Sequence, residues 1–233
     1  MSPPEFFVLA RVVSADGALS KWKERLVALC GVSKTEPHST SYYWGYDVDG
    51  EPDTLWGLEG YSHAVGFFLG HPASDTFKQE MRKVDDDKLL RTMQGLASPD
   101  YDLHYYDFHA GFITRSDDEE KDCKDSFVVV VHLWAQPGQR EALLKSLAAV
   151  ASTVEGSETG PSIKVQSFGV LKECMDTTMA SLYIRARSQA QWESSNVLNE
   201  VLDTTNESMS KYEVHCSQAF NGHIDQKALI ESF

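Results

Sequence analysis

The sequence predicts an α+β fold made of two consecutive ferredoxin-like units of βαββαβ order, whose antiparallel sheets pack against each other within one chain. Three observations support this fold class. The same order of strand and helix periods occurs twice in 233 residues, a length that suits two units of about 100 residues each. Each unit starts with an apolar strand, a glycine-containing turn and an amphipathic helix. The strand at 127–131 is apolar on both faces, so its sheet needs helices on one side and a second sheet on the other.

The first unit is predicted over residues 1–114. It opens with the β-rich run Phe6–Val13, and after the turn at 14–17 apolar residues recur at helical spacing over 19–30. The later elements follow from their periods and turn residues: strands at 42–46 and 54–58, helices at 61–69, 74–82 and 86–96, and a closing strand at 103–113. This order places the helices on one face of an antiparallel sheet.

A charged linker at 115–126 precedes the second unit, which is predicted over 127–220 and is followed by a C-terminal tail at 221–233. The predicted elements are strands at 127–134, 162–171, 178–185 and 211–220, with helices at 139–154 and 189–202. An offset of 121 residues superimposes Gly17 on Gly138 and Trp22 on Leu143. The repeated order of elements supports an internal repeat more strongly than these residue identities do.

Charge and apolar pattern restrict the classes of partner. The chain carries 35 acidic and 21 basic side chains, a formal net charge of -14, and no segment concentrates Lys and Arg. Nucleic acids and anionic membranes attract basic surfaces, so neither is an expected partner. The N-terminus lacks the pattern of a signal peptide, and no apolar run is long enough to span a bilayer. We therefore expect a cytoplasmic protein; the sequence leaves open whether two chains form a homodimer.

The cysteine pattern and the lack of nucleotide motifs argue against a resident cofactor. The four cysteines, Cys30, Cys123, Cys174 and Cys216, are scattered without zinc-ligand spacing and are expected to be free thiols. The motifs GxGxxG and GxxxxGK[ST] are absent. The acidic run at 117–125 includes two lysines and lacks calcium-loop spacing, which favours a solvated linker. The expectation is therefore a protein without a metal centre or a classical nucleotide site.

Aromatic and histidine side chains are concentrated in the first unit. On the strand at 42–46, Tyr42, Trp44 and Tyr46 share one face because side chains alternate along a strand. A cavity lined by aromatic residues with a few polar groups is the usual form of a small-ligand site, although such residues also form ordinary cores. The candidate substrate-binding residues are Trp44, Tyr46, Trp56, His63, Phe67 and His109. Their expected ligand is a small apolar or aromatic molecule.

Histidine is the side chain best suited to move protons near neutral pH. His71 and His104 are the candidate bases, and Tyr42 and Tyr106 are candidate donors to a developing oxyanion. The alternative is that each histidine only caps a helix or lies on the surface. If the site is real, Tyr42, Trp44, Phe67 and His71 should line one cavity between the first sheet and its helices.

Three short stretches of the first unit resemble one known family. They are Glu36-Pro37 followed by Tyr42; Glu59-Gly60-Tyr61-Ser62 with Ala64; and His71-Pro72-Ala73-Ser74 with Phe77. In this respect the chain resembles the antibiotic biosynthesis monooxygenase family of the dimeric α+β barrel superfamily. In the second unit the resemblance continues at 136–138 and at Ala190 and Trp192, but Arg185-Ala186-Arg187 stands where that family usually carries a Glu.

The resemblance implies that the two sheets form an α+β barrel within the chain. It also implies a cofactor-independent monooxygenase of secondary metabolism that acts on a phenolic or anthrone-like polyketide. Two alternatives stay open. Residues 43–48, together with His71-Pro72-Ala73, are also similar to the cyclase branch of the superfamily, which implies a non-oxidative polyketide cyclase or isomerase. The superfamily also includes stress-responsive proteins, so a non-catalytic binding protein is the third reading.

Overall fold

A computed structural model describes residues 5–115, 118, 124–157 and 164–228. The first half contains β1 (Phe6–Val13), α1 (Leu19–Ser33), β2 (Ser39–Asp47), β3 (Thr54–Tyr61), α2 (Ala64–Phe68), a 3-10 turn (His71–Ala73), α3 (Asp75–Asp86) and β4 (Tyr101–Phe112). The second half contains β5 (Phe127–Ala135), α4 (Arg140–Ser157), β6 (Val165–Glu173), β7 (Met179–Ala186), α5 (Gln189–Ser194), α6 (Val197–Thr205) and β8 (Met209–His223). Strands and helices therefore follow one another in the same order in both halves.

The strands form one closed antiparallel barrel in the order β1-β3-β2-β8-β5-β7-β6-β4, and β4 pairs back with β1. Two ladders join the halves: β2 pairs with β8, and β4 pairs with β6. Closure leaves no free sheet edge in the barrel. The predicted α+β fold, with its two sheets packed as an intramolecular barrel, is confirmed.

Alternation along each strand divides the core into a barrel lumen and two helix-covered layers. On β1, Phe7 and Leu9 lie in the lumen with Val128 and Val130 of the second half. The next residue, Ala10, is on the opposite face and packs with α1 and α3 in the first helix-covered layer. The lumen is thus a packed core, and a ligand site has to be sought in a helix-covered layer or at an end of the barrel.

The predicted helix at 86–96 does not form. Helix α3 ends at Asp86, and Lys88 follows in the left-handed region with a φ of 53°. Leu89 and Leu90 then turn into the core, and Leu90 bridges to Ser14 beside β1. The left-handed backbone at Lys88 ends the helix, and the segment 87–100 crosses the end of the sheet as a loop.

Three other boundaries differ from the predictions. The helix predicted at 61–69 covers only Ala64–Phe68, because Tyr61 still pairs with β1 and β2. The helix predicted at 189–202 is two helices, α5 and α6. Strand β8 extends three residues into the predicted tail, because 221–223 pair with β2. Most of the predicted linker and the start of the strand predicted at 162 lie outside the described residues.

Within the described residues no helix is both long and apolar enough to cross a membrane. Cys30, Cys174 and Cys216 are free thiols, as expected, and Cys123 lies outside the described residues.

Candidate functional site

A cavity of about 100 Å³ lies between the first-half sheet and helices α1 and α3. We call it the helix-side cavity. Tyr42, Trp44 and Phe67 line it, together with Trp22 of α1 and Phe77 of α3. Most of the lining is apolar and aromatic, as in sites for small organic ligands. Tyr42, Trp44 and Phe67 therefore line one cavity between the sheet and its helices, as predicted, whereas His71, predicted in the same lining, is not among the residues that line it.

The wall formed by β2 depends on a glycine of the neighbouring strand. Tyr42 and Trp44 are both on the helix side of β2, with ring centroids 6.0 Å apart. Gly57 of β3 pairs with Trp44, and a Cβ placed on Gly57 would be 2.6 Å from Cζ2 of the indole. Carbon atoms in contact are normally about 3.5–4.0 Å apart. The missing side chain of Gly57 thus lets the indole lie flat against the sheet.

His71 lies behind this wall, in the 3-10 turn between α2 and α3. Its ring centroid is 5.5 Å from that of Tyr42 and 5.1 Å from that of Phe77, so it borders the residues that line the cavity. Nδ1 of the buried imidazole is 2.9 Å from both carboxylate oxygens of Glu36. A carboxylate at Nδ1 favours the tautomer with the proton on that atom and leaves Nε2 with a lone pair.

The other ring nitrogen of His71, Nε2, is buried. Among the described residues no hydrogen-bond partner lies within reach of the buried Nε2. Burial lowers the pKa of His71, but the hydrogen bond with Glu36 and the charges of Glu59 and Glu36 outweigh it, so the pKa is raised. A carboxylate that orients a histidine whose far nitrogen is free is the arrangement of a general base.

Glu59 is a polar group in the cavity wall itself. It lies on the helix side of β3, it is buried, and Oε2 accepts a 2.8 Å hydrogen bond from the Tyr61 hydroxyl. Burial raises the pKa of Glu59, with Glu36 adding to the shift and His71 and Tyr61 opposing it. The site therefore pairs a histidine base with a carboxyl group that holds its proton more readily than usual.

Tyr42 keeps its phenolic proton. Burial and the charge of Glu59 raise its pKa well above the ordinary value. A neutral phenol in the wall can donate a hydrogen bond to a developing oxyanion.

Three predicted binding residues lie outside the helix-side cavity. The ring of Tyr46 packs 4.6 Å from that of Phe220. His63 caps α2, where its Nδ1 accepts a 3.0 Å hydrogen bond from the Gly66 N–H. His109 is exposed on β4.

Three other predicted residues lie in the lumen, on the opposite face of the sheet. They are Trp56, His104 and Tyr106. The Tyr106 hydroxyl is 2.8 Å from Ser181 Oγ, which is 2.8 Å from His132 Nδ1. The sheet thus separates the predicted catalytic residues into two pairs: His71 with Tyr42 beside the helix-side cavity, and His104 with Tyr106 in the lumen.

The sequence does not predict the two carboxylates of the site as functional residues. Glu36 and Glu59 occur in the first unit only within the stretches that resemble the family. Glu59 had a detectable signal, because alternation along β3 puts it on the same face as Leu55 and Tyr61. No periodicity points to Glu36, because it lies in a loop 35 positions before His71 in the sequence. Within the residues that the structure describes, no group of three His, Cys, Asp or Glu side chains could hold a metal ion.

Fold and site together define a single-chain α+β barrel with an aromatic helix-side cavity and a buried His–Glu pair. Two solved structures share this fold over nearly their whole length, each described as a "putative monooxygenase". The one from Fusobacterium nucleatum has a TM-score of 0.75 at 10% identity, covering 97% of both chains. The one from Lactobacillus acidophilus has a TM-score of 0.73 at 10% identity, covering 96% of this chain and 97% of its own.

A third structure, described as an anthrone oxidase-like protein, has a TM-score of 0.62 at 12% identity and covers 100% of this chain and 99% of its own. No protein-family model matches the sequence, and a search of curated proteins found no match. At these identities the likeness establishes the fold, and function has to be argued from the site.

Proposed function

We propose that the protein is a cofactor-independent monooxygenase that binds a phenolic or anthrone-like compound with its reacting ring in the helix-side cavity. The observation that carries the proposal is His71, held at Nδ1 by Glu36 and left with a free Nε2 beside the aromatic wall. The fold neighbours described as monooxygenases and as anthrone oxidase-like support the same reaction class.

The proposed reaction needs no outside reductant. Nε2 of His71 removes a proton from the activated C–H or O–H group and leaves an electron-rich anion. This anion donates one electron to dioxygen, and the resulting substrate radical and superoxide combine to a peroxide anion, which takes back the proton held by His71 and becomes a hydroperoxide. His71 then removes the remaining proton of the H–C–OOH group, and a C=O bond forms as the O–O bond breaks. The leaving hydroxide takes a proton from Glu59 and becomes water, and the proton on His71 returns to Glu59. The sum is CH₂ + O₂ → C=O + H₂O, in which carbon is oxidised and dioxygen is reduced.

Two other groups of the wall have matching roles. Tyr42 donates a hydrogen bond to the oxygen that becomes negative when the substrate loses its proton. Glu59, with its raised pKa, supplies the proton to the hydroxide that leaves the hydroperoxide. Glu36 acts through His71, whose ring it orients, and is a positioning residue.

A cyclase or isomerase is the second candidate, and the contact between Tyr42 and His71 favours it. An aldol cyclisation needs the same base and the same donor to an enolate oxygen, but no dioxygen. The two functions therefore share a site and differ in their need for oxygen.

Oxygen uptake and product formation with anthrone and linear polyketide substrates test the proposal. We expect product to form only with oxygen, with one dioxygen consumed per product. Replacement His71→Ala should lower turnover by about 10²–10⁴-fold with the fold intact, as is typical when a positioned base is lost. The matched control His109→Ala, on the exposed side of β4, should stay within about threefold of the parent.

Product formed equally without oxygen would select the cyclase. Turnover of folded His71→Ala within threefold of the parent would refute the base mechanism. Binding without turnover of any substrate would leave a binding protein.

A further inference from the structure

The opening of the helix-side cavity is unusually apolar. Leu96 and Leu103 both line the cavity, yet they are 66% and 40% exposed, so they mark where it meets solvent. Leu103 lies two residues before Tyr105 on β4, so both project from the same face. The ring of Tyr105 is 5.6 Å from that of Phe68, which is 53% exposed. We call Leu96, Leu103, Tyr105 and Phe68 the apolar shelf.

The shelf is connected to the inner cavity. Phe68 is 5.0 Å from Phe67, which lines the cavity, and both rings pack with Phe6 of β1. A shelf that shares residues with a cavity is an extension of that cavity, and large exposed apolar side chains next to one another are typical of binding surfaces.

The shape and polarity of the cavity indicate what lies on the shelf. The cavity measures about 100 Å³, whereas sites for drug-sized ligands measure about 300–1,000 Å³. Its polar groups, Tyr42 and Glu59 with His71 behind them, belong to the sheet wall, while the opening is formed by leucines. A ligand that places a polar ring against the sheet has to leave through an apolar exit.

We infer that the substrate is an aromatic compound with a neutral apolar tail, and that the tail leaves the cavity between Leu96 and Leu103 and lies on the apolar shelf. This inference rests on the proposed function for the identity of the ring. It adds the chemical class of the rest of the molecule: an alkyl or acyl chain rather than a sugar or a charged group.

Binding of para-substituted phenols, from ethylphenol to octylphenol, tests the inference without any need for turnover. Trp22 and Trp44 line the cavity, so their fluorescence reports occupancy. A fully buried methylene strengthens binding about fourfold, and one covered on a single side should contribute about twofold. We therefore expect the dissociation constant to fall about twofold for each added methylene.

Two shelf variants and one matched control make the assignment specific. Leu96→Ser and Phe68→Ser should each reduce the gain per methylene while ethylphenol still binds, because neither change touches the wall that holds the ring. Val48→Ser, at a half-exposed position in the β2–β3 turn, should bind the whole series like the parent. Urea unfolding of each variant checks that the fold is retained.

The inference is overturned if both shelf variants gain as much affinity per added methylene as the parent. It is also overturned if affinity falls as the alkyl chain lengthens, or if no phenol of the series binds. If the shelf instead contacts a second copy of the chain, the variants will shift the oligomeric state in sedimentation and the parent will show no chain-length slope. If affinity rises with chain length but no oxygen is consumed, the inferred tail site stands and the proposed monooxygenase function is wrong. If oxygen is consumed but affinity does not depend on chain length, the monooxygenase function stands and the inferred tail site is wrong.

Discussion

Replacing Gly57 by alanine tests whether this glycine positions the cavity wall. The new Cβ would be 2.6 Å from Cζ2 of Trp44, about 1 Å inside normal contact, and the buried ring borders the helix-side cavity on its other side. Overpacking of this kind costs about 1–3 kcal/mol. We therefore expect Gly57→Ala to lower the free energy of unfolding by that amount and to push the indole into the helix-side cavity.

Urea unfolding followed by circular dichroism measures the stability, and phenol binding measures the cavity. If the displaced indole reduces the binding free energy by about 1 kcal/mol, the dissociation constant rises about fivefold. The matched control is Gly31→Ala in α1, where a Cβ meets nothing within 4 Å and alanine should stabilise the helix by up to about 1 kcal/mol. If Gly57→Ala unfolds at the same urea concentration as the parent and binds phenols equally well, Gly57 does not determine the position of Trp44.

Three further predictions concern ionisable groups. Because the folded-state pKa of His71 is raised, its pairing with Glu36 contributes stability below pH 6.5 that is lost as pH rises through the higher value; the stability difference between parent and His71→Gln should therefore be larger at pH 6 than at pH 8.5. Burial lowers the pKa of His132 to about 3, so below pH 6.5 the unfolded chain binds a proton at this residue that the folded chain does not bind. This difference lowers the free energy of unfolding by up to about 1.4 kcal/mol for each pH unit below 6.5. In urea unfolding, the stability of His132→Gln should therefore fall less steeply with decreasing pH than that of the parent. Asp118 and Arg185 form a fully buried ion pair, and Asp118→Asn should cost about 3–5 kcal/mol in thermal or urea unfolding, whereas a loss below 1 kcal/mol would show that the pair is hydrated.

The order of strands was predictable because each strand carries its own signal. Period-two runs such as 127–134 and turns such as 136–138 depend on neighbours in sequence, so local chemistry determines them. The helix predicted at 86–96 failed for the opposite reason. Leu89 and Leu90 are buried by contacts with β1 and α1, distant in the chain, and such tertiary contacts override local preference.

The candidate site was predictable only in part. Alternation along β2 correctly placed Tyr42 and Trp44 on one face. The same rule applied to β4 would have separated His104 from Leu103, but it could not say which of the two faces the helices cover. The contact between Glu36 and His71 joins a loop to a turn, and neither segment has a periodic sequence pattern that could predict it. Partners of this kind become visible only when the chain is folded.

Strand β2, which carries Tyr42 and Trp44, is bonded to β3 on one side and to β8 of the second half on the other. When such a barrel is assembled from two identical subunits, any mutation that opens one pocket also loosens its copy. Here the two halves of the barrel are encoded separately in one chain. The second half has a leucine-rich packed layer at Leu143, Leu144 and Leu147, whereas the first half contains the helix-side cavity. A substitution that enlarges the first-half cavity therefore has no counterpart in the second half, whose strand β8 continues to pair with β2.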